Sequence, residues 1–310
     1  PHFEGRVIDV ETKQQIGGKR YRVDKDRLRR IAHHFSDEVV RMLTGENGIA
    51  STHVVHRRVS PDRWEIVMSD YDGFNPRVLL RQTVPLVYPR WADDDKGLVY
   101  SSFRYGKPDL FIRYLTESKS RQLAKYEGLN YSVDWSKKRK LLAVTPTKDG
   151  NAEIYLMGTD GRIKKRLTHS RAIDVSPSWS PSGREIVFTS DRGGSPQLYI
   201  MEADGSNVRR LTFQGSYNAS PAWSPKGDYI AFAARIDGFF HLCTIRPDGS
   251  DFTRLTREAV NHEDPRWAPN GRHIMCTEQR GGENVITIID IGTGGRRILA
   301  KGDSADWSAR

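Results

Sequence analysis

Six tryptophans divide most of this chain at near-constant intervals. Trp91, Trp135, Trp179, Trp223 and Trp267 stand 44 residues apart, and Trp307 follows 40 residues later. A period of about 40–45 residues is that of a propeller blade, a unit of four short strands that buries its faces only by stacking on its neighbours. One large aromatic at one fixed place per unit reads as packing between blades, not as a cofactor box.

Two units lie almost in register. The first runs Pro177-Ser-Trp-Ser-Pro-Ser-Gly183, Glu185–Asp191, Gln197–Met201, Asp204-Gly205 and Arg210-Leu-Thr212. The next runs Pro221-Ala-Trp-Ser-Pro-Lys-Gly227, Asp228–Ala234, His241–Ile245, Asp248-Gly249 and Arg254-Leu-Thr256. Ser-Pro-x-Gly is a turn, because Pro presets φ and Gly accepts the positive φ that follows. The Asp-Gly pairs at 160–161, 204–205 and 248–249 mark hairpins between β-rich runs. Apolar second strands such as Ile186-Val-Phe188 suit positions covered on both faces.

The chain ends three residues after Trp307, so the last unit has an inner strand and no others. Its missing strands can come from His53–Arg57, Trp64–Met68 and Arg77–Leu80, with Asp72-Gly73 as the turn between the last two. The expected fold is therefore mainly β: a six-bladed propeller over residues 53–310, with one blade shared between both termini.

Residues 1–52 fall outside the repeat. Arg6–Val10 and Lys19–Val23 read as two strands. Asp24 is expected to cap a helix whose apolar positions, Leu28, Ile31, Ala32, Phe35, Val39, Met42 and Leu43, share one face and which stops at Gly45. Two strands and a helix bury too little to fold alone, so this segment reads as the C-terminal part of a small α/β domain. The opening Pro1-His2-Phe3 lacks an initiating Met, and the chain is expected to start partway into a longer protein. Lys25, Arg27, Arg29, Arg30, His33, His34 and Arg41 make the helix basic, which reads as a solvated face.

No run reaches the roughly 18 consecutive apolar residues of a membrane span, so no membrane insertion is expected. Cys243 and Cys276 lie in strand-like runs without metal spacing and read as buried free thiols. The net charge is +10, spread along the whole length. This distribution reads as solubility, and no nucleic-acid partner is expected.

The Pro-x-Trp-Ser-Pro-x-Gly and Asp-Gly…Leu-Thr repeats resemble the WD40-like propellers of the TolB family. The N-terminal text strengthens the likeness: Gly18-Lys-Arg-Tyr21, Arg30–Val39, Leu43–Gly48 and Ser69–Gly73 are similar to the end of that family's α/β domain and its first propeller hairpin. The second repeat departs at Trp135-Ser-Lys-Lys-Arg139, without Pro or Gly, and the first at Trp91-Ala-Asp-Asp-Asp-Lys-Gly97, one residue longer. The resemblance implies a monomeric periplasmic scaffold of the Tol–Pal envelope system. It would bind the peptidoglycan-associated lipoprotein Pal through one propeller mouth and TolA through a more N-terminal segment, with no cofactor or metal.

Recognition is expected on the face carrying the connections between blades. The candidates there are Tyr88, Tyr126, Asn130, Tyr131, Arg171, Asp174, Tyr217, Asn218, His262, Glu263 and Asp264. The residues just before successive tryptophans across the shared blade, Arg266, Asp306, Arg90 and Asp134, alternate in sign and are expected to pair around a central channel.

Two other functions suit a propeller of this kind: the propeller of a serine-peptidase-like enzyme, and a module for an anionic polymer. No Gly-x-Ser-x-Gly occurs. One near string, Gly193-Gly-Ser-Pro-Gln197, fails at its last position and falls in a hairpin. P-loop, dinucleotide and HExxH motifs are absent too. Binding without catalysis is the expected function.

Overall fold

A computed structural model describes residues 2–22, 24, 27–126, 128 and 130–309. Val23, Lys25 and the side chains of Asn130 and Tyr131 lie outside the described residues. Six four-stranded antiparallel sheets succeed one another along the chain. Five have inner strands Leu86–Ala92, Asn130–Ser136, Asp174–Trp179, Asn218–Trp223 and His262–Trp267, here blades 1 to 5. Blade 6 joins the two ends of the chain. Its strands, from the inside out, are Asp303–Trp307, His53–Ser60, Arg63–Asp70 and Arg77–Gln82, with Trp307 opposite Val54.

The repeated motifs act at the joints. Trp223 of blade 4 packs with Val187, Leu198, Ile200 and Leu211 of blade 3, so the tryptophan belongs to an inter-blade core. In Arg-Leu-Thr, the threonine hydroxyl accepts a third-strand amide: Ile154 N–H to Thr168, Leu198 N–H to Thr212 and Leu242 N–H to Thr256, each at 2.9 Å. The arginine Nε folds back to donate to the same threonine's carbonyl at 2.7–2.9 Å. Gly161 and Gly205 have φ of 84° and 90°. A Cβ on them would meet the carbonyl of Leu123 at 2.0 Å and of Leu167 at 2.6 Å in the preceding blade. Glycine is needed there for conformation and for close approach together.

The turn after the inner strand adapts where its motif fails. Lys140 takes φ 55° and donates its N–H to Ser136 O at 2.8 Å, closing a turn one residue longer than that of Ser180-Pro-Ser-Gly183. The longer turn of blade 1 places Asp93, Asp94 and Asp95 in succession at φ 50–66°.

The N-terminal strands are His2–Ile8 and Gln15–Arg22. The helix runs Leu28–Thr44 and stops at Gly45 in the left-handed conformation, as its sequence predicts. Its start differs. Arg27 occupies the cap position without a side-chain bond, and Asp24 contributes only its carbonyl to Arg27 N–H at 2.9 Å. Phe35 rests on Gly5, where a Cβ would come within 2.4 Å of the ring. Arg29 ties the helix to the blade 6 hairpin, bonding Asp70 at 3.1 Å and Asp72, with its guanidinium 4.2 Å from the Phe74 ring centroid. The helix thus sits on the face of the Ser-Pro and Asp-Gly turns, leaving the other face of the ring open. No described helix is long and apolar enough to cross a membrane.

Candidate functional site

Every inner strand carries a bulge three residues before its tryptophan. Tyr88, Ser132, Ser176, Ser220, Asp264 and Ser304 have φ of 46–53°, and pairing with the second strand shifts register at each. Left-handed backbone at non-glycine residues is uncommon, and a bulge bends its strand and re-aims a side chain. All six bulge residues line one cavity of about 410 Å³ at the open end of the central channel. Four being serine, the mouth is ringed by short hydroxyl side chains, with Tyr88 and Asp264 breaking the pattern.

Below the bulges lies a belt of charge at blades 5, 6 and 1. Arg90 forks onto Asp264 at 2.8 and 3.1 Å, although their blades flank blade 6. It donates as well to Ala305 O at 3.3 Å, on the shared inner strand. Arg266 approaches Asp264 at 3.3 Å and Asp306 at 3.8 Å. Arg57 forks onto Asp303 at 2.5 and 2.6 Å. The alternating residues therefore pair in part. Arg266 meets Asp306 as expected, whereas Arg90 chooses Asp264.

Asp134 and Asp306 have a different role. Asp134 accepts Trp179 N–H and Asp306 accepts Trp91 N–H, both at 2.7 Å. Ser178 accepts Trp223 N–H at 3.1 Å. Asp134, Asp306 and Ser178, each just before its own blade's tryptophan, thus hold the tryptophan of the following blade.

Burial and charge sort the carboxyls. Burial pushes Asp306 up to about 6 against the pull of Arg90 and Arg266. Burial raises Asp134 too, with Trp179 N–H and Arg266 opposing. At Asp264 burial also raises, but Arg90 and Arg266 overcome it and hold the carboxyl below its usual range. Glu263 is raised by burial and by its neighbour Asp264. Among these four, Asp264 is the carboxyl held below its usual range.

Of the sequence candidates, Tyr88, Tyr217, Glu263 and Asp264 meet at this cavity. Tyr217 is 37% exposed and stacks edge-on against Phe240 at 5.4 Å between centroids. Asp174, Asn218 and His262 do not reach it. Each begins an inner strand and is buried, which corrects their assignment as recognition residues. Asp174 is gripped by Arg192 at 2.9 and 3.0 Å. Asn218 bonds Gln197 and the Gln214 carbonyl, and His262 lies 3.8 Å from Glu278. Arg171 is exposed and does not line the cavity, and the Tyr126 hydroxyl donates to Gly161 O at 3.2 Å in the next blade. Sequence reading missed Arg57, Phe240 and Asp303 as part of the site. A signal for the ring itself was present: serine recurs three residues before Trp in four of six units.

A closed six-bladed β-propeller, open at one channel mouth and covered by a helix on the opposite face, is the class to which this fold and site belong. The TolB beta propeller domain matches residues 40–309, and the chain belongs to that family. It is 36% identical over 164 residues to the Tol-Pal system protein TolB of Desulfosudis oleivorans, covering 53% of this chain and 37% of that protein. It is 37% identical over 161 residues to the Tol-Pal system protein TolB of Bordetella avium, covering 52% and 36%. The matched stretch thus spans little more than a third of those relatives. The crystal structure of TolB from Acinetobacter baumannii superposes with a TM-score of 0.88 at 27% identity, covering 98% of this chain and 78% of that one. The tricorn protease shares only the propeller fold, at 14% identity and a TM-score of 0.63.

Proposed function

We propose that this chain is a non-enzymatic periplasmic scaffold of the Tol–Pal envelope system, which binds Pal through the bulge-ringed mouth. Through that contact it would support outer-membrane integrity and cell division. The observation that carries the reading is the mouth itself. Six bulged strand starts converge on one cavity where Tyr217 and Phe240 are presented beside an ionised Asp264. Aromatic anchors and charges on rigid strands are what a protein partner requires.

Family membership supports the same reading, since the relatives are named Tol-Pal system proteins. Binding is favoured over catalysis by the absence of a nucleophile elbow: Gly193-Gly-Ser-Pro-Gln197 lies in the hairpin between strands Glu185–Ser190 and Gln197–Glu202. Residues 53–310 are proposed as the propeller and 1–52 as part of an α/β domain, and TolA is proposed as a second partner. The chain is proposed to act as a monomer.

Retention on immobilised Pal periplasmic domain, compared with retention on heparin and DNA over a salt gradient, tests the assignment. Capture by Pal that persists at 0.3 M salt (about one-third of a molar, enough to screen exposed charges) is expected. Retention on heparin or DNA alone would overturn it in favour of an anionic polymer.

A further inference from the structure

A second cavity, of about 670 Å³, lies between the start of the helix and blade 6, on the face opposite the mouth. Its lining includes Arg27, Arg30 and Arg77, together with His53 and Ser69. Asp70 also lines it but is already bonded by Arg29 and by Asn75. Among the described residues Arg27, Arg30 and Arg77 form no ion pair, so three guanidinium groups face this space without a described carboxylate partner.

Two further features point to an anion. The 17-residue helix begins here, with Arg27 at its cap, no side-chain cap and no acidic residue in its first turn. First-turn N–H groups without internal partners and the positive end of the helix dipole favour negative charge at that spot. Independently, Ser69 is 1% exposed and its hydroxyl has no hydrogen-bond partner, although it lines the same cavity. A buried hydroxyl left unsatisfied is costly and calls for a ligand acceptor. An apolar occupant would satisfy neither the hydroxyl nor the guanidinium groups.

We propose that this cavity binds a phosphate group, held by the helix start and by Arg30 and Arg77, with the Ser69 hydroxyl donating to one of its oxygens. Arginine presents forked donors that match phosphate oxygens, and a dianion offers enough acceptors for donors arriving from two elements. Arg27 and Arg30, read from sequence as part of a solvated face, have this as their specific use. Because its walls come from the helix and from the propeller, occupancy would fasten the two together.

The test is calorimetric titration of the whole chain at low ionic strength with inorganic phosphate and with glycerol 3-phosphate, alongside flotation with vesicles of phosphatidylglycerol in phosphatidylcholine. Arg30 and Arg77 are exposed, so the double variant Arg30→Gln/Arg77→Gln is expected to fold, which far-ultraviolet circular dichroism and thermal melting check. Expected is saturable one-to-one binding in the wild type, weakened roughly tenfold or more in the double variant. Binding of the soluble phosphates alone would place the source in free phosphorylated compounds. Flotation that depends on the two arginines would place it in lipid headgroups. Absence of both, or binding of either kind that the folded double variant retains in full, would overturn the proposal.

Discussion

The carboxylate of Asp306 accepts the backbone N–H of Trp91 at 2.7 Å, tying the last strand of the chain to the first complete blade. Asp306 belongs to a strand whose sheet partners come from the other end of the chain, so one residue holds two closures together. Its neighbour Trp307 is buried and donates through Nε1 to Thr52 Oγ1 at 2.6 Å.

Removal of residues 303–310 should therefore destabilise the whole ring. It exposes blade 6 and deletes Trp307, and a buried tryptophan alone is worth about 3–5 kcal/mol. Thermal melting should fall by more than ten degrees, by order of magnitude, or the chain should fail to fold. An unchanged melting curve would contradict the shared blade.

Asp306→Ala and Asp306→Asn separate the hydrogen bond from the charge. Asparagine keeps an acceptor for Trp91 N–H, whereas alanine leaves that donor buried and unpaired at a cost of about 1–3 kcal/mol. Denaturant unfolding at neutral pH should show the alanine variant clearly less stable than the asparagine variant. Equal stability would mean that the bond carries no weight.

Asp306 should also titrate unusually high, near pH 6. The fold favours its protonated form, so its contribution to stability is fully present below about pH 4 and lost as the pH rises through about 6. Carbon-13 NMR of the carboxyl should give a midpoint near 6. A midpoint at or below 4 would contradict the burial argument.

Gly161→Ala should cost stability out of proportion to one methyl group. The residue has φ 84°, and the new Cβ would sit 2.0 Å from Leu123 O of the neighbouring blade. A loss of about 2 kcal/mol or more is expected in urea unfolding, combining left-handed strain with a backbone clash.

The ring was legible in the sequence because its determinants are local and repeated. Tryptophan spacing, Asp-Gly hairpins and Arg-Leu-Thr each perform one fixed task per blade, and the borrowed strands of blade 6 followed from counting what Trp307 lacked. The site was less legible. Asp174, Asn218 and His262 occupy loop-like sequence but open the inner strands, where tertiary contacts bury them. Arg57 and Asp303 are far apart in sequence and meet only when the ring closes. The pairing of Arg90 with Asp264 skips a blade, which no one-dimensional alternation of charge could indicate. At the helix start, Asp24 fits the capping pattern, yet Arg27 takes the cap position of the Leu28–Thr44 helix.

The mouth is tested most directly by calorimetric titration of Pal's periplasmic domain into the wild-type chain, Tyr217→Ala, and Arg171→Ala, whose residue is exposed and does not line the cavity. The account predicts one-to-one binding that weakens at least about tenfold in Tyr217→Ala, as expected for an aromatic anchor, and is unchanged in Arg171→Ala. Wild-type affinity in Tyr217→Ala, or loss confined to Arg171→Ala, would contradict it.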